Sequence, residues 1–480
     1  MKIFTCSRLL FTITILGVFG CNQNAVKTGN RLLDRLPVVK NNKLAMGSFP
    51  LTFTVSPPPD SFAMPALHSF ADANYNGLWV FIGGKKNGFH GTSNNPPPFR
   101  ATTANDSIWV IDFAGKHSWG VPVPAAYYLA LTASNPQFCQ TANSLYMCGG
   151  YTRTDISKKL FNTTSNYFFE FNLPALIQYV QSGGAAPSLS QVITKVIKSP
   201  YVQVTGGELL HVNDYFYLIG GQNYDAIYSS GRTGIYTNAV RKFNVQRSPS
   251  SWIISDTLSV IDTVNLHRRD MNVVYYPNNS LAVLYGGVFT AKDEAYLTAV
   301  TIGGLASGKP VIMVDSTQQI VNQYTCAKAN IVFGIPYPTM TVLFGGITYK
   351  EYNPQTGKLV IGDHGVPMPF SNIVSMIYKL PALSLLEYIQ IPPNAPLLPQ
   401  YMGSNGLFIP LPQYLLAGHN DMLDARKIAG AMTGPSIMIG YIYGGIISMG
   451  PTSGTTVNGY VATYANPILY QVYLNVPTMH

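Results

Sequence analysis

Charged residues are scarce in this chain. Only 11% of its 480 residues are Asp, Glu, Lys or Arg, against roughly a quarter in an average soluble protein. The net charge of +9 comes from 30 basic and 21 acidic residues. The basic residues are scattered along the chain, and none of their runs is longer than a pair such as Lys85-Lys86 or Arg268-Arg269. Because nucleic-acid-binding proteins gather such charge on one face or helix, the sequence predicts no nucleic-acid partner.

Long hydrophobic runs are also missing. The stretch from Leu9 to Phe19 follows Lys2 and Arg8 and is too short to span a bilayer comfortably. A basic start followed by a short apolar stretch is typical of an export signal. We therefore expect residues 1–20 to be a signal peptide and the protein to be exported.

The end of this segment reads Val18-Phe19-Gly20-Cys21. It resembles the lipobox of bacterial lipoproteins, and the resemblance implies cleavage before Cys21 and lipidation of its thiol. The protein would then be a lipoprotein of the cell envelope or outer membrane, on its periplasmic or surface face, with residues 21–45 as a tether. An ordinary signal peptide followed by a coincidental cysteine is the alternative.

Cysteine is rare, with five in the chain. Cys139 and Cys148 lie in "FCQTANSLYMC", and a two-residue turn at Asn143-Ser144 would place them opposite each other. That register predicts a cross-strand disulfide. The alternative is two buried free thiols, and Cys326 has no evident partner.

Catalytic and metal-binding motifs are absent from the sequence. There is no GxSxG or HExxH motif, and the eight histidines are dispersed without ligand spacing. We predict no metal and no cofactor, and no catalytic residue can be assigned.

Residues that favour strands and turns are abundant, with 31 Tyr, 43 Gly and 34 Pro. Six apolar runs of strand length each follow a turn signal and end in two glycines. These pairs are Gly83-Gly84, Gly149-Gly150, Gly220-Gly221, Gly286-Gly287, Gly345-Gly346 and Gly444-Gly445. Each unit is predicted to be a hairpin whose second strand ends in glycines, which allow positive φ and close approach of a neighbouring chain. The fold class is all-β.

A third strand follows each hairpin. In the first unit it reads "NDSIWVIDFAGKHSW", with Asp112 at its end and Trp119 beyond; Asn244 and Trp252 take these places in the third unit. This pattern resembles the kelch repeat of the galactose-oxidase-like superfamily. The resemblance implies a β-propeller with six four-stranded blades over residues 46–480. A degenerate seventh unit at residues 414–421, within the longest spacing, is the alternative.

The ring of blades needs a strand to close it. The last unit ends at its third strand, and the alternating segment Leu51–Val55 precedes the first unit without a blade of its own. We predict that this segment pairs with Leu469–Leu474 and completes the last blade, which removes open sheet edges.

Polar clusters ahead of the first strands are expected to meet at one mouth of the central channel. The candidate ligand-binding residues are His68, His267, Arg268, Arg269, Asp270, His419, Asp424 and Arg426. Asp72 lies in the same stretch of sequence as His68, and Asp421 in the same stretch as His419. The alternative is structural: each arginine pairs with an aspartate of a neighbouring blade.

Two classes of function fit these patterns. The first is a non-catalytic, envelope-anchored module that binds a protein or glycan partner of the envelope, with a lipid anchor in the membrane. The second is a sugar-acting enzyme, such as a sialic-acid-type mutarotase or epimerase or a galactose-oxidase-like oxidase. The second rests on analogy of fold alone.

Overall fold

Six mainly antiparallel sheets, each built around four strands, form a ring in the computed structural model: the protein is a six-bladed β-propeller. The structure describes residues 51–89, 99–154, 161–226, 228, 234–276, 280–292, 294–334, 339–361, 368–380, 384–393, 395–451 and 463–476. The predicted signal peptide, Cys21 and the tether lie outside these residues. None of the described helices is long and apolar enough to cross a membrane.

The described residues form thirty-two strands, which make up the blades and three two-stranded ribbons beside them. In chain order they are β1 Thr52–Ser56, β2 Ala71–Tyr75, β3 Leu78–Ile82, β4 Ser107–Asp112, β5 His117–Pro122, β6 Gln137–Thr141, β7 Ser144–Cys148, β8 Tyr151–Thr154, β9 Phe161–Thr164, β10 Tyr167–Asn172, β11 Ile193–Lys198, β12 Glu208–Val212, β13 Tyr215–Ile219, β14 Gln222–Asn223, β15 Ile235–Tyr236, β16 Ala239–Arg247, β17 Trp252–Ile261, β18 Asn272–Tyr276, β19 Leu281–Tyr285, β20 Thr298–Gly303, β21 Val311–Gln318, β22 Ala327–Val332, β23 Thr339–Ile347, β24 Lys350–Asn353, β25 Lys358–Ile361, β26 Phe370–Leu380, β27 Ser384–Gln390, β28 Tyr401–Pro410, β29 Met422–Asp424, β30 Ser436–Ser448, β31 Thr463–Ala465 and β32 Tyr470–Asn475.

Blades 1 to 6 follow the chain from the inside outwards. Their strands are β2-β3-β4-β5, β6-β7-β10-β11, β12-β13-β16-β17, β18-β19-β20-β21, β22-β23-β26-β27 and β28-β30-β32-β1. Short helices lie in the loops between strands, both within and between blades: α1 Tyr128–Leu131, α2 Leu173–Gln181, α3 Leu189–Val192 and α4 Ala425–Ala431, with 3₁₀ turns at Ala101–Thr103, Ala125–Tyr127, Pro200–Val202, Leu305–Ser307 and Pro412–Tyr414.

The predicted closure of the ring is confirmed. Strand β1 forms the outer edge of blade 6 and pairs antiparallel with β32, from Thr52 opposite Asn475 to Ser56 opposite Gln471. Phe53 is buried between blades 5 and 6 and meets Phe344 edge-on at 5.8 Å. The first strand of the ring and the last one therefore share a single blade.

The paired glycines have the predicted positive φ at all twelve positions. The second strand ends at the pair in blades 1 to 4, whereas β23 and β30 continue through it. Gly84, Gly150, Gly221 and Gly445 each donate a backbone N–H to the chain that enters the next blade, as Gly150 does to Val204 O at 2.8 Å. A Cβ on Gly149 would lie 1.9 Å from that same carbonyl oxygen. Glycine is required here because the next blade approaches too closely for a side chain.

Each of the six blade interfaces has its own hydrophobic cluster. Val80 of blade 1 packs with Met147 of blade 2, for example, and Phe81 of blade 1 meets Tyr443 of blade 6 at 4.7 Å. Successive residues of one strand alternate between interfaces: Leu145 and Met147 face blade 1, whereas Cys148 faces blade 3. The core is thus divided among the interfaces, as the period of a strand requires.

The predicted turn at Asn143-Ser144 is wrong by one residue, which shifts the pairing partner of each cysteine by two residues. The turn is at Ala142-Asn143, so Cys139 lies opposite Tyr146, and Cys148 lies opposite Gln137. Ala142 takes the positive φ of 47° that the tight turn demands. The two cysteines are diagonal neighbours, too far apart for a disulfide in an undistorted ladder, and both thiols are free.

The long spacing before the last glycine pair holds an insertion in blade 6 rather than a seventh blade. Residues 411–435, which we call the strap, connect β28 to β30 and contain β29 and α4. Strand β29 pairs parallel with β22, the innermost strand of blade 5, with Leu423 opposite Ile331. The strap therefore leaves blade 6 and lies across the end of blade 5.

Candidate functional site

A cavity of about 740 Å³ runs along the propeller axis. Residues of the first strands of all six blades, or just ahead of them, line it, because these strands stand side by side around the axis. Aromatic rings contribute to the wall, among them Trp79, Phe138, Tyr275 and Phe408. This volume suits a small ligand or the end of a larger one, and the cavity is our candidate site.

One end of the cavity is bounded by a closed circle of backbone hydrogen bonds. One residue from each blade donates its N–H to the carbonyl of the corresponding residue in the preceding blade, at 2.7 to 3.3 Å, and blade 1 donates to blade 6. We call this circle the inner ring; its members are Ser69, Asn135, Gly206, Asp270, Thr325 and Asn405. All but Thr325 have φ between 49° and 68°, which turns each chain sharply before it enters its strand.

The strap covers part of the opposite end. Its tip, from Gly418 to Asp421, lines the cavity. Asn420 Nδ2 donates a hydrogen bond of 2.8 Å to Gln140 Oε1 in blade 2. Gln140 also binds the backbone of Asn74 in blade 1, accepting from its N–H at 2.8 Å and donating to its carbonyl at 2.6 Å. This side-chain hydrogen bond therefore links the strap, an insertion in blade 6, to blade 2 on the far side of the cavity.

Charged side chains enter the cavity between these two ends. Lys328 Nζ of blade 5 lies 3.6 Å from Glu208 Oε1 of blade 3, so the pair crosses the axis between blades that are not neighbours. Asp72 of blade 1 also lines the cavity, and Asp421 stands exposed at the strap end. Three carboxylates thus face one ammonium group.

Burial shifts the acid groups of this site. Desolvation raises the pKa of Asp72 to about 7; the charge of Lys328 opposes this shift, and that of Glu208 adds to it. Desolvation likewise raises the pKa of Glu208, against the charge and hydrogen bond of Lys328. A carboxyl group that titrates near neutrality can exchange a proton with a ligand under physiological conditions.

Of the predicted site residues, Asp270 lines the cavity from the inner ring. Its Oδ2 accepts a hydrogen bond of 2.6 Å from the Tyr324 hydroxyl and pairs with Arg269 Nη1. Its Oδ1 accepts from Asn135 Nδ2 at 3.2 Å. Arg269 therefore pairs with the adjacent aspartate of its own blade, so the alternative that each arginine pairs with a neighbouring blade's aspartate is wrong here.

Three predicted residues have structural surroundings instead. Arg268 is fully buried, stacks on Tyr296 at 4.0 Å and donates to Thr298 O at 3.0 Å. His267 stacks on Tyr236 at 3.8 Å and donates from Nδ1 to a backbone carbonyl. His68 is buried next to the inner ring, and desolvation, with the charge of Lys85, lowers its pKa to about 3. None of these three lines the cavity.

The strap holds the remaining predicted residues. His419 lines the cavity. Asp424 caps helix α4 by accepting from the backbone N–H of Arg426 at 2.8 Å, and Arg426 is exposed beside Gly334. The predicted residues therefore do not meet at one mouth: Asp270 and His419 lie at opposite ends of the same cavity.

Sequence reasoning missed Glu208, Lys328 and Gln140. A usable signal was present, because Glu208 and Lys328 are charged residues within innermost strands of a chain that has few charges. A charge at such a position faces either a blade interface or the axis, and only the axis admits water.

In the described part of the chain, no group of three or more His, Cys, Asp or Glu side chains is arranged to hold a metal ion.

No known family model matches the sequence, and no characterised protein is detectably similar to it. The fold is therefore identified from the ring of six sheets itself.

Proposed function

We propose that this protein is a kelch-type propeller that binds the end of a glycan in its central cavity, without catalysis. The observation that carries this proposal is the cavity of about 740 Å³ to which all six blades contribute. It is large enough for one or two sugar rings, and pockets of this size bury most of a small ligand.

The chemistry of the wall supports a polyhydroxylated ligand. Asp72 and Glu208 are acceptors for sugar hydroxyl groups, while Asn420 and Gln140 carry both donors and acceptors. Aromatic side chains that line the cavity, such as Trp79, add apolar surface against which the C–H side of a sugar can pack. A wall that combines carboxylate, amide and aromatic groups matches a molecule that has hydroxyl groups around an apolar ring.

Ligand-detected NMR with a panel of mono- and disaccharides tests this proposal. We expect the wild type to bind at least one of these sugars, and its affinity for the tightest-binding one to fall about tenfold in Asp72→Asn, since one hydrogen bond to a charged group is removed. Asp106→Asn is the matched control, because Asp106 pairs with Lys86 on the surface, away from the cavity. Equal affinities of both variants and wild type, or no sugar binding at all, would contradict the proposal.

We further propose that the propeller is held in the cell envelope through Cys21. The support is the lipobox-like Val18-Phe19-Gly20-Cys21 after an export-type segment. Mass spectrometry of the mature protein should find the N-terminus at Cys21 with attached lipid, and Cys21→Ser should move the protein out of the membrane fraction. An N-terminus elsewhere, without lipid, would contradict this.

A sugar-acting enzyme of the mutarotase or epimerase type is the second candidate, and Asp72 favours it. Mutarotation needs a group that gives and takes protons near neutral pH, and the pKa of Asp72 is about 7. Exchange NMR of a bound sugar distinguishes the two functions. An enzyme accelerates interconversion of the anomers and loses this in Asp72→Asn, whereas a binding module leaves the rate unchanged.

A further inference from the structure

We infer that the ligand of the central cavity carries a positively charged amino group. This inference rests on the proposed glycan-binding function and narrows its substrate class from sugars in general to amino sugars. Three features of the cavity support it: its charge balance, the position of its own lysine and the aromatic rings of its wall.

The charge balance comes from different parts of the fold. Asp72 comes from blade 1, Glu208 from blade 3 and Asp421 from the strap, so residues far apart in sequence bring three acids to one space. Lys328 is the cation that faces them. Of the other titratable groups in the wall, His211 has its pKa lowered by burial, His419 lies on the strap, and Asp270 is already paired with Arg269. One further cation would leave the wall closer to neutrality.

Lys328 shows what kind of group this space stabilises. Its ammonium lies on the axis, 3.6 Å from Glu208. Burial raises the pKa of Asp72 and of Asp421, and the charge of Lys328 opposes this rise at both, joined at Asp421 by the charge of His419. An ammonium group there interacts favourably with all three acids. The ion pair uses Glu208 directly and leaves Asp72 and Asp421 to meet a second cation within the same cavity.

The aromatic wall is the third and independent feature. Trp79, Phe138, Tyr275 and Phe408 line the same cavity as the acids. Faces of such rings attract cations, most strongly where water is excluded. An anionic sugar would instead meet Asp72, Glu208 and Asp421, and like charges in a confined space repel.

The test compares glucosamine with N-acetylglucosamine by isothermal titration calorimetry at about pH 7.5, where Asp72, with a pKa of about 7, is mostly ionised and most of a sugar amine is still charged. The two sugars differ in the charge of one substituent. We expect the wild type to bind glucosamine at least about tenfold more tightly. Equal affinities, or tighter binding of N-acetylglucosamine, would overturn this inference and leave sugar binding intact. If neither these two nor the wider panel binds, the proposed function fails as well.

Two variants with opposite expected effects guard against a general loss of folding. Asp72→Asn should weaken glucosamine binding about tenfold, and Lys328→Met should strengthen it about threefold, because it removes the competing ammonium. The affinity for N-acetylglucosamine should change less than threefold in both. A misfolded variant cannot bind more tightly, so the gain in Lys328→Met is diagnostic. Its absence in a folded variant would overturn the inference.

Discussion

The two ends of the central cavity are held by different kinds of hydrogen bond. At the inner ring, six backbone amides form a closed circle, and the buried carboxylate of Asp270 is tied to Arg269, Tyr324 and Asn135. At the strap end, a side-chain contact between Asn420 and Gln140 joins the strap to blade 2. Backbone bonds need no particular side chain, whereas a contact between two amides is lost with one substitution.

This difference shows which end can admit a ligand. Opening the inner ring would break several backbone bonds and uncover a buried ion pair, at a cost comparable to that of unfolding a blade. Moving the strap tip costs about one hydrogen bond between side chains, and Gly418, with φ of 81°, gives the chain freedom there. A ligand is therefore expected to enter at the strap end and to stop at the inner ring.

Amide hydrogen exchange should separate the two ends most strongly. We expect the amides of Asp270, Thr325 and Asn405 to exchange only on global unfolding, and those of Asn420 and Asp421 to exchange at least about a thousandfold faster. Mass spectrometry of peptides from both ends measures this. Similar rates at the two ends would remove the basis of the comparison.

Substituting an aspartate at each end should give unequal losses of stability. Asp270→Ala leaves the largely buried Arg269 without its carboxylate and should lower the free energy of unfolding by about 3–5 kcal/mol. Asp421→Ala removes an exposed side chain and should change it by less than about 0.5 kcal/mol. Urea titration compares the two; equal losses would mean that Asp270 is not a structural anchor.

The pH dependence of stability tests the carboxyl group between the two ends. Because the pKa of Asp72 is raised from 3.8 to about 7, the folded state holds a proton that the unfolded state has lost between these values. The contribution of Asp72 to stability therefore falls as pH rises from about 4 to 7 and is constant above that range.

Asp72→Asn removes this contribution. The variant should match the wild type near pH 4 and be more stable by about 1–2 kcal/mol at pH 8, a modest value because solvent reaches the cavity. Thermal unfolding across this range measures the difference, with Asp106→Asn as the surface control. A difference that does not grow with pH would show that Asp72 titrates normally.

The smallest effect is expected at the strap contact. Asn420→Ala removes the hydrogen bond to Gln140 and should cost at most about 1 kcal/mol of stability, while exchange at the strap tip becomes faster and exchange at the inner ring stays the same. Gln140→Ala is the informative partner variant, because it also releases the backbone of Asn74 and should cost more. If Asn420→Ala lost no stability and left exchange at the strap tip unchanged, the strap would not depend on this contact.

The parts of the fold that were predictable from the sequence depend on local conformation. Gly149-Gly150 and the other pairs mark the place in each second strand where the backbone takes positive φ, and in blades 1 to 4 the strand ends there. The alternation of Leu51–Val55 reveals a strand whatever it pairs with. The predicted register at Cys139 was wrong because the turn places Ala142 at positive φ. Sequence preferences favour Asn or Gly, not Ala, at a turn position with positive φ.

The site was harder to predict because it depends on contacts across the ring. Nothing local places Lys328 next to Glu208, since the two lie in blades that are not neighbours. The motif around Arg268 and Arg269 was visible, but its two arginines face different surroundings: one stacks on Tyr296 and the other pairs with Asp270. The sequence alone does not show that two adjacent arginines will have such different surroundings.

The pairing of β1 with β32 determines the order in which the molecule can assemble. Blades 1 to 5 draw their strands from continuous stretches of chain and can form as those stretches become available. Blade 6 needs Thr52 to meet Asn475, so it comes last, after the longest loop closure in the chain. Until then the molecule is an open arc whose terminal apolar faces, including Phe81 and Trp79, are uncovered. Aggregation during refolding should therefore begin at these two faces, and a mutation that slows this final pairing will be more harmful than its effect on native stability suggests.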